Sequence, residues 1–171
     1  MNEQDIKQQL IAKLGIPEDK VVVQRERRIF AEIPREKFES AFKFIVNDLK
    51  FVILCTITGT DETANFGVLY HLATEKGIVL TVRILIPRDN PVLNTVTGTF
   101  PSAILYEREM TDLLGIQMHG LPEGQRYPLP DDWPKNEYPL RKDWKQKAPS
   151  APREERGTSA SKADVKENKN G

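Results

Sequence analysis

Glu107, Arg108 and Glu109, followed by Asp112, set three carboxylates and one guanidinium within a single short stretch. Such a set can move protons as general acid and base, or it can form ion pairs that hold chains together. Acid–base catalysis needs a nucleophile, a metal or a pocket around the carboxylates. The candidates for that role are one cysteine, Cys55, and two histidines, His71 and His119. Cys55 falls in an apolar stretch and reads as core, and His71 alternates with Leu69 and Ala73 and reads as structural. His119 stands beside a glycine with no ligand partner near it in sequence. A single cysteine excludes a disulfide framework, and these three side chains fall short of the roughly four ligands a zinc site or iron–sulfur cluster requires. The charged stretch therefore reads as an ion-pairing face, with Arg108 and Asp112 spaced i, i+4. Its net charge of about −2, if buried, calls for cations from elsewhere, from Arg126 or Arg141 or from a partner chain.

The elements that must position these residues follow from periodicity. Thr99 as N-cap, Pro101 in the first turn and Gly115 at the end predict a helix from Phe100 to Leu114, with Leu105, Leu113 and Leu114 facing a sheet. Ile6, Leu10, Ile11 and Leu14 predict an opening helix that ends at Gly15, and Phe38, Ala41, Phe42, Ile45 and Leu49 predict a second one after Pro34. Residues 21–24 and 27–33 read as a hairpin, and 51–59, 65–74 and 77–87 as three further strands. Ile78, Leu80, Val82, Ile84 and Ile86 share one face of the last strand. The order α, β, β, α, β, β, β, α predicts an α+β domain with one mixed or antiparallel sheet of about five strands and helices packed on it.

The 171 residues allow one domain with tails. We divide them into a domain over 1–115, an extended Pro-rich arm over 116–144, and a low-complexity charged tail over 145–171. Charge is balanced overall, 25 Lys and Arg against 25 Asp and Glu. Neither the body nor the tail carries a nucleic-acid footprint. No basic n-region precedes an apolar run, and no run reaches the roughly 18 residues of a membrane span, so a cytosolic chain is expected. The tail has too little apolar surface to offset its ordering entropy alone and would need a partner's surface to order. Pro122, Pro128, Pro130, Pro134 and Pro139 keep the arm extended, and Trp133, Tyr138 and Trp144 offer aromatic anchors of the kind interfaces favour.

Together, several stretches resemble a known family, the thirty-kilodalton subunits of NADH-quinone oxidoreductase (respiratory complex I) and their counterparts in energy-converting membrane-bound hydrogenases. They are Ala103, Glu107-Arg108-Glu109, Asp112-Leu113, Gly115-Ile116, Gly120, Pro122, Arg126, Asp131-Asp132-Trp133 and Pro139-Leu140-Arg141-Lys142-Asp143-Trp144. The resemblance covers roughly residues 40 to 144. Leu105 stands where the family usually has Trp, Leu114 where it has an aromatic residue, and Leu121 where it has His. These departures favour the hydrogenase-like branch with its sulfur-reducing relatives.

What the resemblance implies is a peripheral subunit that carries no catalytic residue, cofactor or metal of its own. Iron–sulfur clusters, and in the hydrogenase type a nickel–iron site, would lie on partner subunits. The chain would bind the large subunit, and the small iron–sulfur subunit as well, on the cytoplasmic side of the membrane. Membrane contact would come only through those partners. Partner-binding residues are then expected at Glu107, Arg108, Glu109, Asp112, Gly115, Arg126, Trp133, Pro139, Leu140, Arg141, Lys142 and Trp144. A generic soluble adaptor and the quinone-reducing complex itself stand as alternatives.

Overall fold

The computed structural model describes residues 1–146. Helix α1 (Glu3–Leu14) begins with a reciprocal cap: the Asn2 side chain accepts from the Asp5 N–H and the Asp5 carboxylate accepts from the Asn2 N–H, each at 2.9 Å. It buries Ile6, Leu10 and Leu14 and ends at Gly15. Strands β1 (Val21–Arg25) and β2 (Arg28–Glu32) pair as the expected hairpin. Its turn has neither Gly nor Asn; Arg27 takes the left-handed conformation instead, φ 58°, and its N–H donates to the Glu3 carboxylate of α1. Helix α2 (Phe38–Asn47) buries Phe38, Ala41, Phe42 and Ile45, as the spacing predicts.

Strands β3 (Ile53–Asp61), β4 (Asn65–Ala73) and β5 (Val79–Pro87) follow. The sheet runs β1-β2-β5-β4-β3, with β2 and β5 parallel and the other neighbours antiparallel. It is the five-stranded mixed sheet expected of this α+β chain. One row across it, Val21, Ala31, Val82, Tyr70 and Ile57, is wholly buried. The next row, Val22, Phe30, Thr81, His71 and Thr56, is exposed or half-buried. One sheet face thus carries the core, where each large apolar side chain contributes about 1.5–3 kcal/mol, and the other remains open. On that open face Arg83 joins Glu32 to Glu62.

Two short strands, β6 (Val92–Asn94) and β7 (Gln117–His119), form a parallel pair that the sequence does not announce. Between them lies helix α3 (Ala103–Leu114). It starts later than expected, because Thr99 and Phe100 donate their N–H groups back to Val96 in turns, and no side chain caps the helix at Ser102. Leu105 does not reach the sheet and is 48% exposed. Cys55 is not core either. The β3 register shifts between Leu54 and Thr56, so Cys55 drops out of the strand's alternation and is exposed on the edge strand. No helix among the described residues is long and apolar enough to cross a membrane. Residues 147–171, nearly all of the charged tail and its expected course along a partner, lie outside the described residues.

Candidate functional site

Helix α3 separates the charges of its motif onto different sides, as 100° per residue requires. Glu107 points inward and is fully buried. Its Oε1 accepts from the Val96 N–H at 2.8 Å and its Oε2 from the Thr95 hydroxyl. Among the described residues no cation pairs with Glu107; of the arginines expected to balance the segment, Arg126 pairs with Asp112 instead. Burial pushes the Glu107 carboxyl above its ordinary value, against the opposing pull of the Thr95 and Val96 donors. Thr95 in turn accepts from the Thr97 N–H at 3.1 Å, so the carboxylate fixes the loop entering α3. The hydroxyl of Tyr70 is buried without a hydrogen-bond partner; burial first, then the Glu107 charge, raises its proton affinity.

Arg108 and Asp112 do not pair with each other. Arg108 Nη2 donates to the carbonyls of Glu123, 3.0 Å, and Pro122, 3.3 Å. Gly124 leaves room for this approach, for a β-carbon there would displace the tip of the Arg108 side chain. Asp112 accepts from Arg126 Nε at 3.0 Å and from the Leu129 N–H at 3.3 Å. Arg126 also donates to the Trp133 carbonyl at 3.0 Å. Two charged residues of the helix thus hold the proximal half of the Pro-rich arm, which leaves the body after β7 and folds back on α3.

The distal half of the arm closes onto the helix end and the sheet. The Leu140 N–H donates to the Leu113 carbonyl at 3.0 Å and Arg141 Nε to the Leu114 carbonyl at 2.7 Å, satisfying groups that a helix C-terminus leaves open. The Arg141 guanidinium lies over the Tyr138 ring at 4.2 Å and the Phe66 ring at 5.1 Å. Next to it the Lys142 N–H donates to Asp61 at 2.9 Å. Pro139 precedes this pair, and Trp133 and Trp144 meet each other at 6.0 Å between ring centroids.

Asp61 was not singled out by the sequence, yet it anchors this end. Both its oxygens accept from Arg88 at 2.8 Å, and the Thr63 N–H adds a bond at 2.8 Å. Burial alone would raise its pKa, but Arg88, Lys142 and Thr63 outweigh it and hold the carboxyl at about 2. Arg88 also pairs with Asp143 of the arm. Glu109 stands apart. It is half-buried and makes no hydrogen bond or ion pair among the described residues. It lines a cavity of about 240 Å³ with Thr56, Ile57, Tyr106, Leu113 and Leu140. The described residues hold no group of three or more His, Cys, Asp or Glu side chains arranged for a metal ion.

The model of a family described as respiratory-chain NADH dehydrogenase, 30 Kd subunit, matches residues 31–150. The chain belongs to that family. Among relatives of this 30 Kd subunit, the membrane-bound hydrogenase subunit beta of Pyrococcus furiosus is 32% identical over 144 residues, 78% of this chain and 82% of the relative. Formate hydrogenlyase subunit 5 of Escherichia coli is 41% identical over 95 residues, 53% of this chain, and the match spans only 17% of that protein. In a solved archaeal respiratory membrane complex, the membrane-bound sulfane sulfur reductase, one chain superposes with a TM-score of 0.73 at 27% identity, covering 83% of this chain and 85% of that one. The matched region of the 30 Kd family takes in α3 and the whole described arm, so the contacts above lie within the shared unit.

Proposed function

We propose that this chain is a non-catalytic peripheral subunit of a membrane-bound, ion-translocating oxidoreductase complex of the complex I or membrane-bound hydrogenase type. It binds the large catalytic subunit, and the small iron–sulfur subunit beside it, and supports assembly of the electron-transfer arm. Iron–sulfur clusters and any nickel–iron site belong to those partners, and the chain is held on the cytoplasmic face of the membrane through them. The observation that carries the reading is the use of the α3 charges. Glu107 is spent on Val96 and Thr95, Arg108 on arm carbonyls and Asp112 on Arg126. Carboxylates so engaged serve the shape of the subunit, which supports a structural use of the motif. The relatives named as hydrogenase subunit beta and as a chain of the sulfane sulfur reductase complex support the same reading.

The test is turnover normalised to cofactor content in the purified complex carrying Glu107→Gln, Arg108→Ala or Asp112→Asn. Lower recovery of assembled complex with unchanged turnover per complex is expected. Normal assembly with turnover down by about a hundredfold, the scale of losing a general acid or base, would overturn the assignment.

A further inference from the structure

Among the described residues, three of the four charged side chains of the α3 motif are satisfied, and one, Glu109, is not. Glu109 is half-buried and lines the cavity of about 240 Å³ between α3 and β3, with Tyr106, Leu113 and Leu140. A carboxylate partly withdrawn from water beside apolar side chains is costly without a counter-charge. The groove next to it is open. β3 is the outermost strand and pairs only with β4, so the backbone groups of its other edge face outward. Among the described residues, one side chain engages a β3 main-chain group, the Tyr106 hydroxyl donating to the Cys55 carbonyl at 3.4 Å. Leu140, which lines the cavity, is 55% exposed, and Leu105, 48% exposed, lies one turn before Glu109 on the same side of α3.

We infer that Glu109 and the groove between α3 and the free edge of β3 dock an extended segment of a neighbouring protein that carries a lysine or arginine. Main-chain bonds to the β3 edge supply register, Leu105 and Leu140 take apolar side chains, and Glu109 takes the cation. This rests on the reading of the chain as a subunit and adds which surface makes the contact. Of the motif's charges, Glu109 is then the intermolecular one, and Glu107, Arg108 and Asp112 serve the subunit's own shape.

The experiment uses the intact complex from its native membranes, with a photoreactive benzophenone side chain at position 105 and, as control, at Gln24 on the opposite edge strand. The position-105 adduct is expected on a co-purifying subunit, within a few residues of a Lys or Arg. Glu109→Lys should lower recovery of the chain in the complex at least tenfold, and changing that cation to Glu should restore it. Glu109→Gln, which keeps the shape, should lower recovery severalfold and carries the test if the Lys variant loses its fold. Wild-type recovery of both variants, or an adduct on a segment without a cation, overturns the inference while leaving the subunit reading intact. A wild-type chain that purifies from membranes free of any partner overturns the subunit reading itself.

Discussion

Gly115 ends helix α3 against the side chain of Arg141: a β-carbon on it would collide with the Arg141 Nη2 atom and lie 2.6 Å from the Tyr138 ring. Its φ of 72° is also left-handed. Both constraints penalise any side chain there, and the first falls on the contact that seats the arm. Gly115→Ala should therefore destabilise the chain by about 2–3 kcal/mol, combining left-handed strain with overpacking. Urea unfolding of the full chain measures it, and a change under about 0.5 kcal/mol would contradict the geometry.

Asp61 sets an acid-side limit on stability. Its folded pKa, about 2, lies below the ordinary 3.8, so its contribution is present above 3.8 and is lost as pH falls through about 2. The shift is worth roughly 2 kcal/mol at neutral pH. Asp61→Asn should cost at least that at pH 7, and the gap between wild type and variant should close between about pH 4 and pH 2. A gap independent of pH would mean the Arg88 pairing contributes nothing.

Glu107 has the opposite sign. Burial raises its folded pKa, so the neutral acid is the form that folding favours. The wild-type contribution is fullest below the ordinary 4.5 and declines as pH rises through the folded value. Glu107→Gln should therefore compare best with wild type at neutral pH and worst near pH 4. Glu107→Ala, which leaves the Val96 N–H unsatisfied in a void, should cost about 2–4 kcal/mol throughout. Denaturant titrations of the three chains at several pH values decide it.

Arg126 is the clasp of the proximal arm. Arg126→Ala removes the cation from the partly buried Asp112 pair and the donor from the Trp133 carbonyl. Hydrogen exchange at the Leu129 and Leu140 amides should speed up by about tenfold to a hundredfold, equivalent to a local opening easier by about 1.4–3 kcal/mol. Exchange in β4 and β5 should stay slow. Uniform loss of protection would show that the arm and the sheet unfold as one.

Much of this fold is legible because local patterns decide it. The apolar spacing of Phe38, Ala41, Phe42 and Ile45 admits only an inward helix face, and the alternation from Ile78 to Ile86 only a strand covered on one side. The pair β6 and β7 escapes the same reading, since three residues each give no period and their contact spans the whole of α3. Cys55 misleads because a register shift in an edge strand leaves no mark in hydrophobicity. In the site, the motif residues and Arg126 as a balancing cation were visible, but which charge each partner would hold was not. Arg108 lies four residues from Asp112, the spacing of a helical pair, yet each is claimed by a segment that returns from about 14 residues further on. Asp61 carries little local signal, since beyond the Thr63 N–H two residues on, its partners are Arg88 and Lys142, 27 and 81 residues away.

The arm is fastened near its start at Arg108, midway at Asp112 and near its end at Asp61, and its two tryptophans meet across it. A segment held in this way cannot reach out and catch a neighbour before the two bodies are aligned. Encounter then depends on how often whole subunits meet in the right orientation, which places the on-rate in the ordinary range of about 10⁵–10⁷ M⁻¹s⁻¹ and leaves charge steering as the means of raising it. Once seated, such a loop has little order left to gain, so the lifetime of the contact is set by the surface it presents and not by the folding of the arm.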